Sequence, residues 1–504
     1  MKHLGRPNLS SLTAAIGGTA LVLATGLLLG RVSGVVRELM LAARLGTSAA
    51  ADYAVVLMSL PDLLANILIA GGLSAVLVPR FKQLDTAAGV KLFWKAFLII
   101  LAVFSIIGLI CFLSPDAVFL IFAPGISMPH GLLSPATMAF IAAAIPLSAL
   151  AGVSGSYLNA SQRYLMAGLG TLFFNIAIIA ALYSASAAQS IFWYIALGVG
   201  AGATLRLASQ LVAMPAIVWR VPAPETPVIA MPWRAFFAAV AATTLTLIVP
   251  NLIRAAASFT GTGAIASLNY AQKLVELPTA VLLSAVTTIT LTHVSGVFAK
   301  DGIEPARLAL SRKLRLSLNL AIFATAGCVL FTRPIVDFAF GYGAMTPAGI
   351  ESVGALFQIG SLGLPAVALS LMLSAYLNAT NRTSLVLRMT VIAVMTMPIL
   401  VLPGILLSSP VLLVCSAVLF QAILAFGLIR VAAKSDEISG TTMVMILLPT
   451  STWVPVLKGL AIFALAYGID RLLAFESSLA SLSLMAAAFA GAVFVSSILK
   501  DGSD

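Results

Sequence analysis

The heptapeptide Tyr157-Leu158-Asn159-Ala160-Ser161-Gln162-Arg163 returns later in the chain as Tyr376-Leu377-Asn378-Ala379-Thr380-Asn381-Arg382. The two copies are offset by 219 residues, and Pro146 and Pro365 repeat at the same offset. Further upstream, Arg37 matches Arg254 at an offset of 217 residues. An internal repeat of this length indicates that the chain consists of two halves with the same fold.

The composition places both halves in a membrane. Hydrophobic residues make up 61% of the 504 residues and charged residues 9%, against about 25% charged residues in an ordinary soluble domain. Uninterrupted apolar runs of about 20 residues, the length that spans a bilayer, recur along the chain. We therefore predict an all-α membrane protein, and an internal repeat in such a protein is typical of transporters.

Basic residues are concentrated in alternate loops between the predicted helices. Five of them lie within residues 300–315, whereas loops 115–135 and 404–408 contain no lysine or arginine. Hydropathy places about 14 transmembrane helices along the chain, and an excess of positive charge marks cytoplasmic loops. The sequence therefore predicts a multi-pass protein with both termini in the cytoplasm. The apolar run at about 12–29 is longer than a signal sequence needs, so we expect it to be retained as the first helix.

The repeat divides this chain into three predicted regions. Residues 1–220 form an N-terminal lobe with helices 1–6, and residues 221–435 form a C-terminal lobe with helices 7–12. Residues 436–504 form an additional pair, helices 13 and 14. Because six helices separate equivalent positions, both lobes enter the membrane from the same side. We expect the two lobes to be parallel and related by an axis along the membrane normal, with the substrate cavity between them.

Four cations lie at the ends of predicted helices, where charge is costly unless it faces a cavity or a partner. Guanidinium groups suit phosphate because they donate paired, charge-assisted hydrogen bonds. The alternative is that these side chains extend to the membrane interface. The repeat-related placement favours a shared anion-binding cavity. The predicted anion-binding residues are Arg31, Arg37, Arg254 and Lys273.

Two acids and four prolines complete the candidate site. Asp52 and Glu276 open the predicted second and eighth spans, and we expect them to pair with the cations as the cavity opens and closes. Proline removes a backbone donor and loosens a helix. The predicted hinges are Pro61, Pro146, Pro278 and Pro365.

No catalytic or metal site is predicted. The three histidines are scattered, the three cysteines lack metal-ligand spacing, and no phosphate-binding loop of an ATPase is present. We therefore expect a non-enzymatic protein that uses no cofactor and binds no nucleic acid. Its energy would come from the membrane potential or from a monovalent ion.

Several segments resemble the MurJ (MviN) family of lipid II flippases, within the multidrug/oligosaccharidyl-lipid/polysaccharide exporter superfamily. The stretches 30–38, 42–47 and 60–64 resemble the family's N-terminal signature, and Tyr270–Pro278 resembles its eighth-helix motif. Phe338–Gly343 resembles the loop before the family's tenth helix. The resemblance is collinear over most of the chain and agrees with the count of about 14 helices.

The resemblance implies a function. A family member would move an undecaprenyl-pyrophosphate-linked peptidoglycan precursor, lipid II, from the cytoplasmic to the periplasmic leaflet of the bacterial inner membrane by alternating access. The implied fold has a cationic cavity and a lateral groove, formed with helices 13 and 14, for the polyprenyl tail. Cell-wall synthesis proteins are implied as partners. Arg31, Arg37 and Asp52 match family positions, and Lys273 stands where the family usually has arginine.

The chain also departs from the family. A basic pair and a following acid in helix 2 are replaced here by Ala65, Asn66 and Ala70. Three alternatives therefore stay open. One is a flippase for another polyprenyl-pyrophosphate-linked oligosaccharide of exopolysaccharide or O-antigen type. The second is a multidrug/cation antiporter, which would favour acidic rather than basic residues in its cavity. The third is a scaffold that transports nothing.

Overall fold

The structure is a computed structural model, and every regular element in its described part is helical. We number the helices α1 to α19 in chain order. The described residues are 26, 29–67, 73–127, 131–185, 190–220, 233–436, 443, 453–473, 475 and 477–498.

The described residues of the first half of the chain form eight helices and a short 3-10 turn. Asp85 caps the N-terminus of α4 and Ser134 that of α6, because each side chain accepts a backbone N–H two or three positions into its helix. The helices are α1 (29–45), α2 (Ala49–Ile67), α3 (Leu73–Gln83), α4 (Thr86–Leu113), α5 (Pro115–Phe122), α6 (Pro135–Ala160), α7 (Tyr164–Ser184) and α8 (Ile191–Val212), with the 3-10 turn at Ala216–Trp219.

The described residues of the second half form eleven helices, including the C-terminal pair. A π-helical turn, Thr279–Leu283, joins α10 to α11. The helices are α9 (Trp233–Ala257), α10 (Ala264–Pro278), α11 (Ser284–Asp301), α12 (Ile303–Leu330), α13 (Thr332–Phe340), α14 (Pro347–Ser361), α15 (Leu364–Ala379), α16 (Thr383–Leu406), α17 (Pro410–Ser435), α18 (Trp453–Leu473) and α19 (Ser478–Ile498).

Nine helical segments in the described ranges are long and apolar enough to cross a membrane. A tenth arises when α14 and α15, which meet at a bend of 42°, are counted as one broken span. The all-α, multi-pass membrane fold is confirmed. The predicted first span lies mostly outside the described residues, so the total of about 14 stays a prediction.

Some helices extend beyond the apolar runs that predict them. The pattern places a ninth span at 316–339, whereas α12 begins at Ile303 and carries Arg307, Arg312 and Arg315 in its first turns. Arginine is a good helix former, so a helix can continue into the aqueous layer beyond the hydrocarbon. Hydropathy detects only the part of the helix that lies in lipid.

The chain divides into two compact units. The first unit comprises residues up to Met40, Tyr53–Leu120 and Ser127–Leu247. The second unit contains Ile248–Asp504 together with two short segments from earlier in the chain, Leu41–Asp52 and Ile121–Ile126. The predicted lobe boundaries at residues 220 and 435 remain predictions.

The repeated heptapeptide forms the same helix end in both units. Gln162 and Asn381, which follow the C-caps of α6 and α15, adopt left-handed conformations with φ values of 61° and 60°. In the first copy, the N–H of Arg163 donates to the carbonyl of Leu158 at 2.8 Å, and in the second Arg382 donates to Leu377 at 2.7 Å. Both are Schellman motifs, which satisfy the last carbonyls of a helix. We call these two turns the first and second corners.

The four predicted hinge prolines have different surroundings. Pro61 and Pro146 lie inside the continuous helices α2 and α6. Pro278 ends α10 immediately before the π-helical turn, and Pro365 lies in the first turn of α15, after the 42° bend. The two prolines of the second half therefore coincide with irregular backbone, although the repeat pairs each of them with a proline in a regular helix.

The C-terminal helix pair packs against α12 in the second unit. Phe323 of α12 and Phe331, the C-cap of that helix, form a buried cluster with Phe463 of α18 and Ala492 of α19. Asn319 donates a hydrogen bond to Ser496 at 3.1 Å within the same contact. Small residues and one buried polar contact therefore hold the pair close to α12, as is common between membrane helices.

Candidate anion-binding site

Arg37 is the best-anchored of the four predicted cations. It lies on α1 with 7% of its surface exposed, and the neighbouring Glu38 is 1% exposed. The Arg37 Nη2 atom donates to Glu38 Oε1 at 2.7 Å, and Nη1 donates to Asn175 Oδ1 at 3.1 Å. A buried cation needs such partners because an unsatisfied charge in a membrane protein is costly.

Asn175 of α7 links this arginine to the backbone of α1. Its Nδ2 atom donates to the carbonyl of Gly30 at 3.1 Å and to Ser33 Oγ at 3.0 Å. A Cβ atom on Gly34 would lie 3.5 Å from the same nitrogen. The small residues on this face of α1 therefore let an amide side chain from α7 approach the helix and orient Arg37.

A second group of polar residues lies at the junction of α9 and α10. Arg254 donates through Nη1 to Asn251 and through Nη2 to Asn269, both at 3.2 Å. Lys273 follows Asn269 by one helical turn and pairs with Glu276 at 2.8 Å. Arg254 of α9 therefore contacts α10 one helical turn before Lys273.

Asp52 binds backbone rather than a cation in this structure. Its carboxylate accepts the N–H of Gly263 at 2.6 Å and that of Ala266 at 2.8 Å, at the N-terminus of α10. Free N–H groups and the helix dipole both favour an anion at this position. Asp52 therefore serves here as the cap of α10, and its predicted pairing with a cation is not seen in this structure.

The segment Leu41–Asp52 packs against the rest of the second unit mainly through backbone. A Cβ atom on Gly263 would lie 2.0 Å from the carbonyl oxygen of Thr47, and one on Gly46 would lie 2.5 Å from that of Ala344. Tyr270 donates to the carbonyl of Gly46 at 3.1 Å. Gly263 has a φ of 80° and Gly46 a φ of 59°. Glycine at these positions lets the two backbone segments approach each other without a clash.

The predicted residues thus fall into two sets, one in each unit. Arg31 and Arg37 lie on α1, where Arg31 is exposed and Arg37 is buried. Arg254, Lys273 and Glu276 form the other set. That all four cations face one cavity stays a prediction.

Asn175 and Asn269 are the functional candidates that the sequence pattern did not identify. The signal for Asn175 was a lone amide inside the apolar stretch of α7. A polar side chain at such a depth usually faces a partner or a cavity. Asn269 could have been identified from the internal repeat, in which it occupies the position equivalent to Asp52. Each asparagine accepts a hydrogen bond from an arginine of the predicted site.

The chemistry of both sets suits a multiply charged anion. In each set, two cations are accompanied by neutral amides and by one carboxylate. Each set therefore has an excess of positive charge. Within the described residues, no group of three or more His, Cys, Asp and Glu is placed to hold a metal ion.

The sequence matches one protein family over most of its length. The family model "Lipid II flippase MurJ" matches residues 41–491. A probable lipid II flippase MurJ from Rhizobium meliloti (strain 1021) is 28% identical over 357 residues, which cover 67% of this chain and 66% of that protein, just under two thirds of its length. The lipid II flippase MurJ of Burkholderia cenocepacia is 26% identical over 369 residues, covering 67% of this chain and 69% of that protein.

Solved structures agree at the level of the fold. A structure described as lipid II flippase MurJ in an inward closed conformation matches with a TM-score of 0.78 and 18% identity, covering 96% of this chain and 99% of that one. An inward-facing multidrug resistance MATE family transporter matches with a TM-score of 0.65 and 14% identity, covering 81% and 96%. The fold is therefore that of MurJ and MATE transporters, and the match over residues 41–491 places this chain in the MurJ family of lipid II flippases.

Proposed function

We propose that this chain is a flippase that moves lipid II, the undecaprenyl-pyrophosphate-linked peptidoglycan precursor, across the cytoplasmic membrane by alternating access. The observation that carries the proposal is the buried Arg37, held by Glu38 and by Asn175 of another helix. Burial of a charged side chain in a membrane protein costs free energy and usually indicates a functional role. The pyrophosphate is the part of lipid II that a guanidinium group recognises.

The roles of the other site residues follow from their chemistry. Arg31 and Arg37 would meet the headgroup from the first unit, and Arg254 and Lys273 from the second. An anionic headgroup would relieve the mutual repulsion of these cations and would thereby favour the state in which they share it. Glu276 would pair with Lys273 while the site is empty and would release it when the headgroup binds, since both side chains of the pair are partly exposed.

We place the protein in the bacterial inner membrane with both termini in the cytoplasm, because basic residues mark the cytoplasmic loops. Transport would be coupled to the membrane potential or to a monovalent ion, which matches the absence of an ATPase motif in the sequence. Proteins of cell-wall synthesis would be its partners, as the providers and users of lipid II.

A related substrate is the second candidate. Ala65 and Asn66 occupy positions where the family usually has a basic pair, so this chain offers fewer cations in helix 2. Another polyprenyl-pyrophosphate-linked oligosaccharide, with less negative charge beyond the pyrophosphate, would need fewer of them. Arg254, held by Asn251 and Asn269, is the residue that would compensate for the loss.

Complementation of a bacterium depleted of its own lipid II flippase tests the proposal. The unaltered chain should restore growth, whereas Arg37→Ala and Arg254→Ala should not, although both remain in the membrane. Arg333→Ala is the control, because Arg333 is exposed and pairs with Asp337 one turn away on the same helix. Failure of the unaltered, membrane-inserted chain to restore growth would overturn the lipid II assignment in favour of the related glycan lipid.

A further inference from the structure

Glu38 is a buried carboxylate whose only role in the proposed function is to hold Arg37. It lies next to that arginine on α1, with 1% of its surface exposed, and accepts hydrogen bonds from Nη2 at 2.7 Å and from Nε at 3.2 Å. The position equivalent to Glu38 in the internal repeat is Ala255, so the arginine of the second half, Arg254, is not followed by an acid. An arginine at this place in the repeat therefore does not require an adjacent acid, and the charge of Glu38 has another use.

Arg37 has to leave Glu38 in order to reach a headgroup. Only 7% of its surface is exposed, and Glu38 occupies the Nε–Nη2 edge, one of the paired sets of donors with which a guanidinium binds phosphate. Adjacent residues point about 100° apart on an α-helix, so the two side chains meet because the long arginine bends sideways toward the acid. Rotation of the arginine side chain is therefore sufficient to end the contact, without a movement of α1.

Asn175 cannot replace the arginine as a donor to Glu38. The Nδ2 atom of Asn175 donates to the carbonyl of Gly30 at 3.1 Å and to Ser33 Oγ at 3.0 Å. A carbonyl oxygen only accepts hydrogen bonds, so these contacts fix the side on which the amide nitrogen lies. The amide oxygen consequently faces the guanidinium, 3.1 Å from Nη1. Arg37 thus lies between two acceptor oxygens, one of Glu38 and one of Asn175.

When Arg37 turns away, Glu38 loses the cation that donates two hydrogen bonds to it. Removal of such a partner from a buried carboxylate is strongly unfavourable while the carboxylate keeps its charge. Binding of a proton removes that charge. The protonated carboxyl group is also a hydrogen-bond donor, and a donor is what the acceptor oxygen of Asn175 loses when the guanidinium leaves. A proton on Glu38 therefore compensates both residues for the departure of Arg37.

The helix that packs on this face of α1 carries no charge that could take the place of Arg37. A Cβ atom on Gly34 would lie 3.5 Å from the Asn175 side chain, so α7 approaches α1 closely here. From Tyr164 to Ser184, α7 contains no Asp, Glu, Lys, Arg or His. The remaining charged side chains of α1 and of α8, which packs against α7, are all basic: Arg31, Arg44 and Arg206. Arg31 and Arg44 are seven and six residues from Glu38, about two helical turns.

We propose that Glu38 takes up a proton when Arg37 turns to the pyrophosphate of the headgroup, and that it releases this proton when Arg37 returns. Because Arg37 must bind a pyrophosphate for this exchange, the exchange rests on the proposed function. In the empty site the guanidinium neutralises the carboxylate. In the occupied site the guanidinium faces the substrate and the carboxyl group is neutral, so one proton is gained from water for each headgroup bound. Headgroup binding and protonation of Glu38 then favour each other by the same factor.

Calorimetric titration of the purified full chain with farnesyl pyrophosphate tests the proton uptake. Binding heats measured in two buffers that differ in ionisation enthalpy give the number of protons taken up per bound pyrophosphate. The variant Glu38→Gln should take up about one proton fewer than the unaltered chain, and protons exchanged by the pyrophosphate itself cancel in this comparison. Proton uptake favours binding at low pH. The Kd of the unaltered chain should therefore rise with pH more steeply than that of Glu38→Gln, by up to about tenfold per pH unit.

Glu351→Gln is the matched control, because Glu351 is an exposed acid on α14, and it should give the proton count of the unaltered chain. A second measurement keeps the test valid if Glu38→Gln does not fold. The infrared difference spectrum of the unaltered chain should lose a carboxylate band and gain a protonated carboxyl band when farnesyl pyrophosphate binds. Absence of the protonated band would overturn the proposal.

The other outcomes separate this proposal from the proposed function. Equal proton counts in Glu38→Gln and in the unaltered chain, with pyrophosphate bound by both, would overturn the role of Glu38 and leave the flippase function intact. Binding that requires Na⁺ and takes up no proton would also overturn it, in favour of a metal cation at this carboxylate. Failure of the unaltered chain to bind farnesyl pyrophosphate would contradict pyrophosphate recognition itself, and the proton exchange with it.

Discussion

Arg37 illustrates how a membrane helix accommodates a permanent charge. The guanidinium is buried, yet a carboxylate next to it and an amide from α7 satisfy its donors. The amide does more than satisfy the charge, because it also donates to the backbone of α1 at Gly30. Asn175 therefore both satisfies a donor of Arg37 and fixes the position of that side chain relative to α1.

Replacement of Asn175 should impair transport without removing any charge. Asn175→Ala would leave Arg37 with one partner fewer and would remove one of the two side-chain hydrogen bonds to the carbonyl of Gly30, at a cost of about 1–3 kcal/mol in the free energy of unfolding. We expect at least about a tenfold loss of flipping in a reconstituted assay. Ser33→Ala is the control, because it removes two hydrogen bonds, one to the carbonyl of Gly30 and one from Asn175, and neither involves Arg37. Equal activity of both variants would show that Asn175 does not position the arginine.

Two substitutions of Asp52 separate its capping role from its charge. Asparagine caps helices about as well as aspartate, whereas alanine loses about 1 kcal/mol. Asp52→Ala should therefore lower the midpoint of thermal unfolding, measured by size-exclusion chromatography after heating, and Asp52→Asn should lower it much less. If Asp52→Asn is stable but fails to transport, the negative charge has a role in the cycle beyond the cap seen here.

At the residue scale, the sequence identified the cations and Glu276 as a partner of Lys273, but not the asparagines that hold the arginines. Arg37, Arg254 and Lys273 were predicted because charge in an apolar chain is conspicuous. Asn175 lies 138 positions from Arg37, and no local pattern connects them. Periodicity and spacing report on neighbours along a helix, whereas a contact between α1 and α7 depends on how the helices pack.

At the element scale, the approach of residues 41–52 to α10 depends on glycine. Gly263→Ala would place a Cβ atom 2.0 Å from the Thr47 carbonyl at a φ of 80°, so the segment must move away. We expect a cysteine at Thr47 to become more accessible to a thiol reagent in that variant. Gly302→Ala is the control, since Gly302 has a φ of 86° but no atom within 4 Å of its Cβ position. A similar change in both variants would attribute the effect to backbone strain alone.

Helix ends were predicted less well than helices. The Schellman turns at the two corners use Gln162 and Asn381 in the left-handed region, where glycine is the usual residue. The repeat predicted that both turns would be alike, although composition alone did not predict their form. The bend before Pro365 and the π-helical turn after Pro278 could not be predicted, because proline permits several kinds of irregularity and the packing selects one.

At the scale of the whole molecule, the C-terminal pair should depend on one close contact with α12. A Cβ atom on Gly459 would lie 2.3 Å from the buried ring of Phe323, so Gly459→Ala overpacks the interface by about 1–3 kcal/mol. The variant should unfold at a lower temperature and lose flipping activity. Gly468→Ala on the same helix meets no atom within 4 Å and should behave like the unaltered chain. Normal stability of Gly459→Ala would indicate that α18 can shift without cost.

The predicted orientation gives a second test at this scale. In a chain whose native Cys111, Cys328 and Cys415 are replaced by serine, Tyr342→Cys should react with a membrane-impermeant maleimide in intact cells. Lys313→Cys should react only after the membrane is opened, because the basic residues near it mark the cytoplasmic side. Labelling of Lys313→Cys in intact cells would show that the orientation is the reverse of the predicted one.

The overall architecture was the most predictable feature. An internal repeat and a composition with 61% hydrophobic and 9% charged residues were sufficient to predict a helical membrane transporter. The short segments 41–52 and 121–126, which belong to the second unit although they are part of the first half in sequence, were not predictable. Their placement results from the tertiary contacts of Asp52 with Gly263 and of Gly125 with Ser258.

The π-helical turn at Thr279–Leu283 means that the eighth span contains one residue more than an unbroken α-helix along the same path. The wide turn absorbs that extra residue, so α10 and α11 keep nearly the angular phase of an unbroken α-helix. If the same five residues adopted α-helical bonding, α11 would rotate by about 100° relative to α10, because each residue turns an α-helix by about that angle. The hydroxyl groups of Thr287 and Thr290 would then leave the direction they now hold relative to Lys273, while the length of the span would hardly change. A switch from π-helical to α-helical bonding in this turn therefore acts as a rotation, whereas deletion of one residue would leave the direction of α11 nearly as it is.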